Sequence, residues 1–124
     1  MTFKTFGAAA ALLLASALPA AAQSMCSPPI PPAAIDGSKA TEDQLHANLI
    51  DVKTFLKQSD DYQDCVNREW LEAREAALKA KKDLDPSVTA DRDSKIRANQ
   101  ALKEKVGAEY NAAAHAYVAA HPGK

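Results

Sequence analysis

Two cysteines, Cys26 and Cys65, are the residues whose chemistry this sequence constrains most tightly. In a chain bound for an oxidising compartment such a pair is most simply a disulfide, because an unpaired thiol there is a liability. Closing the loop of roughly 40 residues between them would stabilise the fold by about 3 to 4 kcal/mol on the chain-entropy treatment. An intermolecular bridge, and redox or metal chemistry, are the alternatives. No CxxC pair exists, so thioredoxin-like exchange and a tetrathiolate zinc site have no support.

The other reactive side chains lack the spacing that chemistry needs. His115 and His121 are six residues apart, about 240° around a helix, and cannot chelate one metal from the same face. His46 could approach His121 if the chain folds back on itself, with Asp43 or Asp51 as a third ligand, but solvent-facing histidines are the expectation and no metal site is assigned. There is no CxxCH sequence for haem attachment, and no cofactor is implied. Glu69 and Glu72 sit three apart, a spacing common to solvated helix faces, and no GxSxG elbow accompanies them. Gly37, Gly107 and Gly123 stand alone rather than in a phosphate-cradling loop. The small basic end of Arg74, Lys79, Lys81 and Lys82 suits the negative pole of a helix dipole. The expectation is a protein that is not an enzyme.

Of the 124 residues, 47% are apolar, but residues 1–22 inflate that figure. Lys4, the apolar stretch Ala8 to Leu18, Pro19 and the small residues Ala20, Ala21 and Ala22 read as a secretory signal peptide cleaved before Gln23. The stretch is shorter than the roughly 20 residues of a transmembrane helix, so no membrane insertion is expected once the signal is removed. Gln23, Ser24 and Met25 do not form the small-residue box of a lipoprotein, despite the nearby Cys26. The expected location is the periplasm or the extracellular space.

Residues 23–124 hold 42 apolar residues, 18 of them alanine, which supports one small domain. Their 14 Lys and Arg face 16 Asp and Glu, so nothing argues for nucleic acid or an acidic membrane surface.

Three stretches must do the positioning. Residues 23–40 carry Pro28, Pro29, Pro31 and Pro32 and end at Asp36-Gly37, an extended strap closed by a turn. The helical domain spans 41–121, leaving a tail at 122–124. Thr41 can cap its first helix with Gln44 as the capping-box partner. Leu45, Leu49, Val52, Leu56, Tyr62, Val66, Trp70, Ala73 and Ala77 then form one stripe at helical spacing. Ser59-Asp60-Asp61 could divide this run into two helices, giving three in all. Asp85-Pro86 starts the last helix, whose stripe runs through Ile96, Asn99, Leu102, Val106, Tyr110, Ala113 and Tyr117 to His121-Pro122-Gly123. No alternating β-branched run is present, so strands are not expected.

The fold class that follows is all-α, a long antiparallel helical hairpin with the proline-rich strap tied back by the disulfide. If the first helix is continuous it rises about 36 Å from Thr41 to Cys65. An extended strap reaches about 46 Å, which is enough to close the bridge. Folding at Leu84-Asp85 sets Trp70 opposite Asn99 and Gln100, Val66 opposite Leu102, Tyr62 opposite Val106, and Phe55 opposite Ala113 and Ala114. Alanines at 112–120 either let the helices approach closely or leave a shallow groove where Phe55, Tyr62 and Tyr110 could pack on the strap prolines, and Phe55, Tyr62, Tyr110 and Tyr117 are the candidate contact surface for an unknown protein partner. A thin core also allows a homodimer that buries the stripes in a four-helix bundle.

The strap Pro28-Pro29-Ile30-Pro31-Pro32, Asp36-Gly37, then Phe55, Ser59-Asp60, Tyr62, Cys65, Lys103-Glu104 and Tyr110-Asn111-Ala112-Ala113 before Tyr117 resemble small exported proteins of proteobacteria. That group, uncharacterised in function, has a signal peptide, two cysteines and a helical body. The resemblance implies a Gram-negative periplasmic location and no particular activity. The functional expectation is a non-catalytic exported helical protein acting through protein contacts; the alternative is a small-ligand or metal-binding periplasmic protein.

Overall fold

A computed structural model describes residues 24–123. Residues 1–22, expected from the sequence to be a signal peptide, lie outside the described residues, as do Gln23 and Lys124. Two helices make up the body: α1, Glu42–Lys79, and α2, Pro86–Ala120. α1 is a single helix that passes through Ser59, Asp60 and Asp61 without a break. Ser59 is turned into the core rather than free to cap, since it is fully buried.

The ends form where local chemistry places them. Thr41 Oγ1 accepts from the Gln44 backbone N–H and the Gln44 side chain accepts from the Thr41 N–H, which satisfies two orphan donors reciprocally. Glu42 and Asp43 occupy the first turn, where the helix dipole favours negative charge. At the other end Lys82 N–H donates to Ala77 and Lys81 N–H to Leu78, both at 3.0 Å, the Schellman pattern. Lys81 takes the left-handed position of that motif, at φ 53°. Asp85 caps α2 by accepting from Ser87 N–H at 2.9 Å, and Pro86 supplies the preset φ of the first turn.

The helices pack antiparallel, but not in the register expected from folding at Leu84-Asp85. Trp70 Nε1 donates to Thr89 Oγ1 at 3.0 Å, the Asn99 amide donates to the Ser59 carbonyl at 3.0 Å, and Lys103 pairs with Asp60. Val106 packs with Val52 and Phe55, joined by Leu56, Leu102 and Tyr110. α2 is therefore slid toward the start of α1 by roughly two to three turns. The connector does not reverse the chain at a point; α1 runs on past the level where α2 begins. The slide sets Val106 and Leu102 against Phe55, where the expected register offered only Ala113 and Ala114, and large side chains bury more apolar area than alanines.

The strap completes the core from one side. It runs back along α1 and is bridged to it by the Cys26–Cys65 disulfide, with Cα atoms 5.8 Å apart. Cys26 is buried in a cluster with Tyr62 and Val66, against which Cys65 and Ile96 pack. Midway, Asn48 donates to the Ala33 carbonyl at 3.2 Å. The turn after Asp36 is held by Lys39 and Ala40 N–H groups donating to the Asp36 carbonyl. Gly37 presses this turn onto α2: a Cβ there would lie 1.8 Å from the Ala113 carbonyl oxygen, so only glycine fits.

Candidate functional site

The strap and the face of α1 beneath it hold most of the molecule's concentrated chemistry. Beside the disulfide, one turn beyond Cys65, the Glu69 carboxylate accepts from Met25 N–H at 2.6 Å and from the Ser24 hydroxyl at 2.8 Å. The first described residues of the strap are thus fixed by a charged acceptor as well as by the bridge. Sequence reading placed Glu69 on a solvated acidic face; nothing in the local spacing pairs it with residues more than forty positions away.

Two open grooves flank the strap. One, of about 450 Å³, is lined by Met25, Pro28, Gln58, Asp61, Tyr62 and the disulfide. The other, of about 510 Å³, lies between Ala33, Ile35, Lys39, Gln44, Asn48 and Asp51. Asp61 at the first groove pairs with Lys57 at 2.7 Å, which raises the Lys57 pKa through that hydrogen bond and the carboxylate's charge. Near the second, Asp36 is held below the usual carboxylate range by the Ser38 hydroxyl first and Lys39 second.

The four aromatics expected to form a contact surface separate. Phe55 is 2% exposed and Tyr62 is 8% exposed, so both are core residues, and the expectation that they face a partner is corrected. Both lie in phase with the buried stripe of α1, which is why they point inward. Tyr110 and Tyr117 are half-buried, Tyr110 against the Val106 cluster and Tyr117 stacked on His121 at 4.3 Å.

His121 is committed to its own helix end, sharing a hydrogen bond through Nδ1 with the Tyr117 carbonyl at 2.9 Å. His46 and His115 are exposed. Among the described residues the one set of three potential metal ligands in mutual reach is Cys26, Cys65 and Glu69, whose ligand atoms lie within 4.8 Å of one another. The conjectured pairing of His46 and His121 is not part of it.

The basic end is partly used internally. Trp70 is flanked by Arg92, 4.1 Å from the ring centroid, and by Arg74 at 5.7 Å, while Lys79 pairs with Glu75 at 2.8 Å. Cation–π contact of this kind fixes the indole as its N–H bonds Thr89.

The surface feature that sequence reading missed is apolar and lies on α1. Leu71 and Leu78 are 53% and 65% exposed, seven residues apart and so on one face. Their signal was phase: each is one position past a member of the inward stripe, Leu71 after Trp70 and Leu78 after Ala77, and more than about 100° around the helix from the buried line of Val52, Phe55, Tyr62 and Val66.

No family model matches this chain, and no curated protein and no solved structure matches it either. Among the described residues no helix is long and apolar enough to cross a membrane.

Proposed function

We propose that this is an exported, non-catalytic helical protein that acts through protein–protein contact, and that the contact it makes first is with a second copy of itself. Export rests on the signal-like residues 1–22 and on the disulfide, a bond that persists in the periplasm or outside the cell. A resemblance to small exported proteobacterial proteins points the same way. Glu69, the carboxylate beside the disulfide, is occupied in holding the strap rather than free for proton transfer.

The observation that carries the reading is the exposed Leu71 and Leu78 on the back of α1. An antiparallel two-fold pairing of these helix faces is self-complementary: Leu71 of one copy meets Leu78 of the other, and Glu72 meets Lys79, each contact occurring twice. Such a patch is small beside the roughly 800 Å² per partner of a standard interface, so the dimer is weak and concentration-dependent.

Sedimentation equilibrium of the mature chain tests it. Leu78→Glu should leave only monomer. Glu72→Lys and Lys79→Glu should each weaken association, and the double reversal should restore it. A monomer at every concentration, or a double variant that stays weakened, would contradict the proposal.

A small-ligand reading is favoured only by the two grooves beside the strap. Native mass spectrometry of protein taken from the exporting cell would show a bound small molecule if that reading holds, and the unliganded mass alone if it does not.

A further inference from the structure

The ligand set at the end of the strap supports a chemistry that the disulfide conceals. We propose that reduction of Cys26–Cys65 converts this bridge into a Zn²⁺ site formed by Cys26 Sγ, Cys65 Sγ and the Glu69 carboxylate, with water in the fourth position.

Geometry supplies the first argument. The three ligand atoms lie within 4.8 Å of one another, and tetrahedral Zn²⁺ with thiolate and carboxylate ligands wants them on the order of 3.5 Å apart. Once the bond is cut the two sulfurs, bonded in the bridge, move apart and the carboxylate closes in, both by side-chain rotation. Cys65 and Glu69 are one turn apart on a rigid helix, so two of the three ligands are fixed before any metal arrives.

Preorganisation of the third ligand is the second argument. In most disulfide-tied segments, reduction releases the chain and disperses the thiols. Here Glu69 Oε1 holds Met25 N–H and Oε2 holds the Ser24 hydroxyl, and Cys26 N–H in turn donates to Ser24 Oγ at 3.3 Å. Cys26 therefore stays beside Cys65 after the bond is cut. Each carboxylate oxygen keeps a further lone pair for the metal.

Charge and access agree. Asp61 and Glu69 lie one turn to either side of Cys65, and their carboxylates favour a divalent cation while disfavouring a free thiolate pair. The groove lined by Met25, Asp61 and Tyr62 opens onto the disulfide and gives the ion an entry path. Thiolate ligands select a thiophilic metal over Ca²⁺ or Mg²⁺.

The redox step balances with a dithiol reductant. The S–S bond breaks, two electrons and two protons pass to the sulfurs as two thiols, and the reductant leaves as its own disulfide. Zn²⁺ then displaces both thiol protons as two Zn–S bonds form. Reoxidation needs a disulfide oxidant: it takes two electrons from the sulfurs and two protons from water to become its dithiol, the S–S bond re-forms, and the ion leaves.

Co²⁺ is the spectroscopic probe, titrated anaerobically into dithiol-reduced, desalted mature protein, with Zn²⁺ competition to follow. Thiolate-to-Co²⁺ charge transfer should saturate at one metal per chain in the reduced protein and be absent in the oxidised protein. Glu69→Gln should bind at least 10-fold more weakly. Zn²⁺ should raise the melting temperature of the reduced protein, with circular dichroism confirming that the helices persist. Absence of the charge-transfer band, saturation at one metal per two chains, or equal affinity in Glu69→Gln would each overturn the proposal.

Discussion

The side-chain amide of Asn99 donates to the backbone carbonyl of Ser59 at 3.0 Å, joining α2 to the middle of α1 across a buried seam. Forty residues separate the two, and both are nearly inaccessible to water. A buried polar contact that a slid register would leave unpaired penalises every other alignment of the helices, as a core asparagine does in a coiled coil.

This relationship gives two opposite expectations. Asn99→Ala should cost about 1 to 3 kcal/mol in chemical unfolding, because packing and the amide's hydrogen bond are lost together. Ser59→Ala should be neutral or stabilising by up to about 1 kcal/mol: its hydroxyl has no hydrogen-bond partner among the described residues, and its backbone carbonyl remains to receive Asn99. Urea titrations of the two variants separate the side-chain and main-chain roles of position 59.

Glycine and non-glycine residues stand at two positions where exchange should help. Lys81 occupies the left-handed site that ends α1, and Gly107 sits inside α2 with open space where a Cβ would go. Lys81→Gly relieves a strained backbone, and Gly107→Ala removes excess freedom from the unfolded chain. Each should stabilise by about 0.5 to 1 kcal/mol, and the distant sites should add. Thermal unfolding of the two single variants and the double variant checks this.

Asp85 makes the cap of α2 dependent on pH. Its carboxyl is held below the ordinary value of 3.8, chiefly by the backbone N–H of Ser87 and then by the Ser87 side chain. A depressed pKa means that the native state binds fewer protons than the unfolded chain. The cap's stabilisation is therefore fully present above the unfolded-state value and is lost as pH falls through the native one. Asp85→Ala should lower the melting temperature at pH 7, and the gap to wild type should close as the pH is taken below 3.8 and through the depressed native value. A gap that persists undiminished in acid would show that the charge of Asp85 is not what caps α2.

Much of this architecture was legible because it is local. The capping box of Thr41 and Gln44, the Asp85-Pro86 start and the stripe from Leu45 to Ala77 depend on residues a few positions apart, and each stands as the sequence implies. The Cys26–Cys65 bridge followed from a count of two and a length argument. Register did not follow, because it depends on how far a six-residue connector travels and on which volumes match across the seam, as Val106 does with Phe55. The exposure of the aromatics was misread for a related reason. Aromatic character drew attention to Phe55 and Tyr62, whereas helical phase, which puts them inside and Leu71 and Leu78 outside, was the better guide. Glu69's hold on the strap was hidden because it is a long-range contact to a main-chain donor.

The central structural claim is a division of labour: two helices paired by their own seam, and a strap fastened over them by the disulfide and seated by Gly37 on Ala113. Amide hydrogen exchange on the oxidised and the dithiol-reduced protein, compared in metal-free buffer, tests it most directly. Exchange in the segment 27–40 should rise on reduction, while Met25 N–H, held by Glu69, and amides of α1 and α2 around Ser59, Tyr62, Asn99 and Val106 keep their protection. Uniform loss of protection across both helices would show that the pair cannot stand without the bridge, and would contradict the account.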